Sequence, residues 1–322
     1  MTRSREVAWS VSLLVLAGVV GWAQSKGPAT AKAEEPSDFT IRTTSRLVLL
    51  DVSVKDGSGG FVSGLLKDNF KIYENGKPQE ITQFADADIP VTVGIAVDES
   101  GSMRPKRNEV ITAALVFNQA SNPMDEMFIV NFNEKARRGL PDEVLFSDNV
   151  QQLRKALYQG ASEGRTALYD ALMMSLNQLD FGRRDKKTLV VISDGGDNHS
   201  QYTLDDVRQK VLMSAATIYT IGLYDEDDPE SNEGVLRKLA QVSGGVFYHP
   251  ETLDAIVPIC QQIAKDIRTR YTIGYVPSSE GKAERHIKVM ASSPDHPKLV
   301  VRTRTNYVFS PDQAGSSAKA AR

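Results

Sequence analysis

The sequence predicts an α/β fold, a doubly wound and mostly parallel sheet flanked by a small β-sandwich-like module. Three observations carry that expectation. Between residues 90 and 270, five apolar runs alternate with amphipathic helical stretches. The runs are continuous and rich in β-branched residues, as strands covered on both faces require. On either side of this region the chain turns strand-like, in pieces too short to bury a face alone.

The elements follow in order from the N-terminus. Arg3 and Arg5 precede an apolar run from Val7 to Ala23, and Gly21 and Ala23 put small residues where a signal peptidase cuts. Residues 1–23 are therefore expected to be a signal peptide, with an uncleaved membrane anchor as the alternative. Residues 24–37 are small, polar and proline-bearing, and read as a disordered leader. Over 38–88 the chain is strand-like: Val48, Leu50, Val52 and Val54 alternate with less apolar neighbours. The Asn75-Gly76 pair predicts a type I′ turn joining strands at 70–73 and 81–84. The α/β region, 89–270, has strands at 91–97, 127–132, 188–193, 217–223 and 245–249. Its helices lie near 106–120, 149–159, 167–180, 204–215, 233–242 and 253–270, with Pro258 predicting a kink or a delayed start in the last. Strands return at 271–276, 285–290 and 299–309, before a disordered tail at 310–322. The first strand and the last helix of such a region begin and end at one edge. Residues 38–88 and 271–309 are therefore expected to form one module into which the α/β region is inserted.

Composition narrows the chemistry. The 322 residues carry 38 Lys and Arg against 41 Asp and Glu, a net charge of -3. There is no basic footprint, so nucleic acid is not expected as a partner. The single cysteine, Cys260, excludes an internal disulfide framework, a cysteine-clustered metal site and a lipid-modified cysteine at the cleavage point. Cys260 shares a helical face with Ile256, Ile263 and Ile267 and reads as a core residue.

In an open α/β sheet, ligands sit beyond the carboxyl ends of the strands. Asp98-Glu99-Ser100-Gly101-Ser102 follows the first strand, Asp194-Gly195-Gly196-Asp197-Asn198 follows the third, and Thr166 precedes the helix at 167. Asp98, Ser100, Ser102, Thr166 and Asp194 supply two carboxylates and three hydroxyls. No soft donor accompanies them, so they suit a hard divalent cation, Mg²⁺ ahead of Ca²⁺ or Mn²⁺. Alone, Asp-x-Ser-x-Ser is also good helix-capping chemistry.

These five residues, in this order, resemble the metal-ion-dependent adhesion site of the von Willebrand factor type A family. The resemblance spans about 88–270. With the flanking β segments and the signal peptide, the chain is most similar to the secreted members common in acidobacteria. It implies a Rossmann-like domain, a Mg²⁺ held at the five positions, and a protein partner that completes the coordination with an Asp or Glu carboxylate. It implies a secreted or envelope location, with membrane attachment only if the N-terminal segment is retained. Arg165 stands where relatives often have glycine, either as a rim cation for an acidic ligand or as a solvated loop residue.

The remaining candidates have plainer readings. Asp197 and Asn198 suit turn and capping roles. Asp225 to Asp228 form an acidic loop without the spacing of a calcium loop. The four histidines are scattered, with no His-Glu-x-x-His pair. A metal-dependent hydrolase is the competing class, and a structural envelope protein with a vestigial site is a third. Neither a G-x-S-x-G elbow nor a P-loop is expected, so an enzyme is not expected.

Overall fold

The computed structural model describes residues 47–160, 162–224, 231–278 and 283–309. The signal peptide, the leader, the acidic loop at Asp225 to Asp228 and the tail from 310 all lie outside these residues.

The N-terminal flank contributes β1 (Val48–Asp56), β2 (Phe70–Glu74), β3 (Lys77–Gln79) and β4 (Ile81–Ala85). The α/β region runs β5 (Val91–Asp98), α1 (Arg107–Ala120), β6 (Glu126–Phe132), β7 (Ala136–Arg138), α2 (Val150–Leu157), α3 (Leu168–Asp180) and β8 (Lys186–Ser193). It continues with α4 (Leu204–Met213), β9 (Thr217–Gly222), α5 (Glu233–Ser243), β10 (Phe247–Tyr248) and α6 (Ile256–Arg268). The C-terminal flank adds β11 (Tyr271–Tyr275), β12 (Glu284–Ala291), β13 (Leu299–Arg302) and β14 (Asn306–Val308).

The central sheet has the order β10-β9-β8-β5-β6-β7, parallel except for β7. Every residue of β5 is buried, as are all but one each of β6 and β8, which is why these runs show no alternation. Helices α1, α2 and α6 pack together on one face, and α3, α4 and α5 on the other. The chain leaves β5 toward β6 on one side and returns to β8 on the other. The carboxyl ends of β5 and β8 therefore flank the switch point where such sheets bind ligands. Pro258 falls in the first turn of α6, after a short 3-10 turn at Leu253–Ala255, so the helix has the delayed start.

Each flanking sheet takes strands from both ends of the chain, in the orders β13-β1-β11-β4 and β14-β12-β2-β3. The two sheets share a core in which Leu50, Val52, Ile273 and Tyr271 meet Phe70, Ile72, Ile287 and Val289. The Asn75-Gly76 turn forms with φ of 49° and 80°, both positive as type I′ requires. Its second strand, however, is β3 and not 81–84, which crosses to pair with β11 in the other sheet. The expected strand over 299–309 is likewise two strands in different sheets. Between them Arg304 turns to the α/β region and donates to the Ser214 carbonyl at the end of α4, at 2.7 Å. A second tie joins Ser53 of β1 to Asp266 of α6 at 2.6 Å.

Candidate metal centre

β5 ends at Asp98, which is 3% exposed. Asp98 Oδ1 accepts the backbone N–H of Ser100 at 2.8 Å, and Oδ2 accepts the Ser193 hydroxyl at 2.6 Å. The first bond folds the chain back at the strand end, so Ser100 and Ser102 face the same edge. Their hydroxyls lie 3.1 Å apart, and Ser102 Oγ donates to Asp194 Oδ2 at 2.6 Å. A 3-10 turn follows at Gly101–Lys106 with Ser100 in the capping position, yet the Ser100 side chain makes no capping bond. The hydroxyl is turned to the site, not to the helix.

Asp194 leaves β8 at the neighbouring strand end, its Oδ1 accepting the Gly196 N–H at 3.0 Å. Thr166 precedes α3 and is also buried. Its N–H donates to Asn198 Oδ1 at 2.9 Å, and its carbonyl accepts from the N–H groups of Asn198 and His199. Ser100, Ser102, Thr166 and Asp194 line one shallow cavity of about 290 Å³ together with Gly101, Gly164, Arg165, Gly196 and Asn198. Asp98 sits beneath it, joined through Ser100.

Burial, and then the Asp194 charge, push the Asp98 carboxyl up from the ordinary 3.8 to about 7, against the hydrogen bonds from Ser100 and Ser193. The two buried carboxylates repel, and a divalent cation would balance their charge. The donor set fits such an ion, being all oxygen. Among the described residues no group of three or more His, Cys, Asp or Glu side chains converges. Carboxylates alone would not reveal this site, because hydroxyls make up most of it.

Arg165 is exposed and, among the described residues, is the one cation lining the cavity. His199 lies outside it, in a neighbouring groove lined also by Asp170, Met173, Met174 and Tyr202. Asp197 has the capping role expected of it, accepting the Tyr169 N–H in the first turn of α3 at 2.9 Å. The sequence reading did not single out Ser193, although a polar residue closing an apolar run was its signal. The expectation that no G-x-S-x-G is present needs correcting, since the letters Gly160-x-Ser162-x-Gly164 form such a string. These stand in the loop between α2 and α3, not on a strand-to-helix turn, and Ser162 Oγ accepts from Arg107 at 3.0 Å.

Residues 93–196, which span the strand ends bearing all five residues, match the family model of the von Willebrand factor type A domain. The chain carries a type A domain. A von Willebrand factor type A structure from Catenulispora acidiphila aligns with 84% of this chain and 76% of its own, at 14% identity and a TM-score of 0.50. BatB from Bacteroides thetaiotaomicron, a conserved hypothetical protein, aligns over 55% of this chain and 98% of its own, at 18% identity and a TM-score of 0.42. The pilus adhesin SpaC from Lactobacillus rhamnosus GG, in an open conformation, aligns over 80% of this chain and 45% of its own, at 12% identity and a TM-score of 0.45. At 14% identity the likeness to the Catenulispora structure speaks to the fold alone. No curated protein matches the chain. Type A domains are in general adhesion or structural modules without catalytic activity. Among the described residues, no helix is long and apolar enough to cross a membrane.

Proposed function

We propose that the chain is a secreted or envelope-located adhesion module that binds a protein partner through Mg²⁺ at Asp98, Ser100, Ser102, Thr166 and Asp194. One observation carries this reading: two buried carboxylates, Asp194 in the cavity wall and Asp98 beneath it, are joined by hydrogen bonds to the serines of the same strand ends. Ser100, Ser102 and Thr166 would hold the ion through neutral oxygens, and Asp98 and Asp194 would balance its charge. Mg²⁺ is preferred to Ca²⁺ or Mn²⁺ because the set is small and rich in hydroxyls. When bound, the ion supplies a coordination position that a carboxylate of the partner can fill. The exposed cavity above Ser100 and Thr166 leaves that side open to a partner's Asp or Glu.

In this reading residues 1–23 are a signal peptide, 24–37 a leader, 89–270 the type A domain, 38–88 and 271–309 its β module, and 310–322 a tail. The decisive experiment titrates Mg²⁺ into the wild type and Asp98→Ala. It follows melting temperature and retention of cell-envelope protein on the immobilised chain. Mg²⁺ should stabilise only the wild type, and retention should disappear with EDTA or with the substitution. Retention that survives both would overturn the reading, as would Mg²⁺-dependent turnover of a simple phosphate or ester.

A further inference from the structure

Glu99, between the two residues that open the metal motif, points the other way. It is 0% exposed, and its carboxylate lies 3.1 Å from Arg107 Nη2 and 3.0 Å from Arg137 Nη2. A buried carboxylate is costly unless paired, and here both oxygens face an arginine. Arg107 reaches on to the segment that delivers Thr166, and Arg137 to Asn133, which holds the residue after it. Arg107 donates to the Gly160 carbonyl at 2.9 Å and to Ser162 Oγ at 3.0 Å. Arg137 donates to Asn133 Oδ1 at 3.0 Å, and the Asn133 carbonyl accepts the Ala167 N–H at 2.7 Å. Arg104 adds a bond to the Ser162 carbonyl at 2.9 Å. The backbone closes the same seam, with Glu163 N–H on the Glu99 carbonyl at 3.0 Å and Gly101 N–H on the Gly164 carbonyl at 3.2 Å.

The contact is tight from the loop side as well. A Cβ on Gly160 would stand 2.5 Å from Glu99 Oε2, and its φ of +103° disfavours any side chain. The loop thus reaches Glu99 only with glycine at this position.

We infer that Glu99 is a positioning residue of the proposed metal site: with Arg107 and Arg137 it fastens Gly160 and residues 162–166 to the Asp98–Ser102 turn, so that Thr166 is in place before a cation arrives. The inference rests on the metal reading given above. Asp98 and Glu99 divide the work, the first facing the site and the second anchoring the wall opposite. Freed from Glu99, the loop would have to be ordered by the ion itself, and affinity would fall.

The test uses the full chain as wild type, Glu99→Gln and Gly160→Ala, the last disturbing the same contact from the loop side should Glu99→Gln fail to fold. Mg²⁺ affinity is measured by calorimetric titration, and hydrogen exchange is followed in EDTA. Both variants should bind Mg²⁺ about tenfold more weakly, within the range for residues that support metal ligands. Exchange should quicken across 158–166 and stay unchanged in β5. A merely structural role would lower the melting temperature and leave the affinity alone. A wild type that binds while the folded variants stay within about twofold overturns this inference by itself. A wild type that takes up no Mg²⁺ overturns the metal reading, and this inference with it.

Discussion

Ser102 donates its hydroxyl to Asp194 across 2.6 Å, joining the ends of two adjacent strands through residues 92 positions apart. Both residues line the candidate cavity.

Ser102→Ala tests both roles of that hydroxyl. Without Mg²⁺ the variant loses a hydrogen bond to a charged acceptor, and stability should fall by about 1.5–3 kcal/mol. With Mg²⁺ at a hundred times its dissociation constant, the wild type should gain about 2.7 kcal/mol, or roughly 5–10 °C in melting temperature. The variant should gain less than half of that at the same concentration. Differential scanning fluorimetry with and without Mg²⁺ measures both. An equal gain in wild type and variant would remove Ser102 from the site.

The Asp98 carboxyl gives a pH dependence with a definite sign. Its folded pKa of about 7 lies above the ordinary 3.8, so the folded chain binds this proton more tightly than the unfolded chain. The contribution to stability is fully present below pH 3.8 and is lost as pH rises through about 7. In EDTA, Asp98→Asn should therefore be more stable than the wild type at pH 8.5 by several degrees, and the gap should close toward pH 5. Mg²⁺ should restore the wild type at pH 8.5 and leave Asp98→Asn unmoved. Melting temperatures at the two pH values decide it.

How much of this could be read from sequence depends on which residues announce themselves. The strands of the α/β region did, because burial on both faces writes unbroken apolar runs such as Val91 to Val97. The candidate site did, because Asp98 and Asp194 close the apolar runs of β5 and β8 and Thr166 precedes α3. β7 did not, since Ala136-Arg137-Arg138 carries no apolar signal and pairs only at the sheet edge. The partner of the Asn75-Gly76 turn was hidden for another reason. A turn fixes the two strands beside it, but β3 is only three residues long, and the stronger apolar run at Ile81 belongs to the other sheet. Glu99 was invisible because its partners Arg107 and Arg137 are brought to it by the fold and not by spacing.

The junction between the β module and the type A domain should be rigid, and Asp266 is its centre. It accepts from Ser53 Oγ at 2.6 Å, from Tyr219 OH at 2.7 Å and from Arg270 Nη2 at 3.1 Å. Burial alone would raise its pKa, yet Arg270 and the two hydroxyls hold the carboxyl below its ordinary value. Asp266→Ala leaves the buried Arg270 charge without that partner and should cost about 3–5 kcal/mol in urea unfolding. The double variant Asp266→Ala, Arg270→Ala should lose less than the two single losses added together. Additive losses would mean that the pair does not act as a unit.

Cys260 offers a probe of the same core without altering the metal site. It is fully buried on α6, and burial pushes its thiol up to about 12. The thiolate is the reactive form, so at pH 8 only a minute fraction is available, behind a closed face of Ile256, Ile263 and Ile267. Iodoacetamide should leave the native chain unlabelled over hours and modify it fully in urea. Labelling in intermediate urea should follow the unfolding curve of the domain. Mg²⁺ should shift the labelling midpoint to higher urea in the wild type and not in Asp98→Ala, by the same linkage that raises the melting temperature. Rapid labelling of the native chain would show that α6 opens without global unfolding, and the tie through Asp266 would then be weaker than its geometry implies.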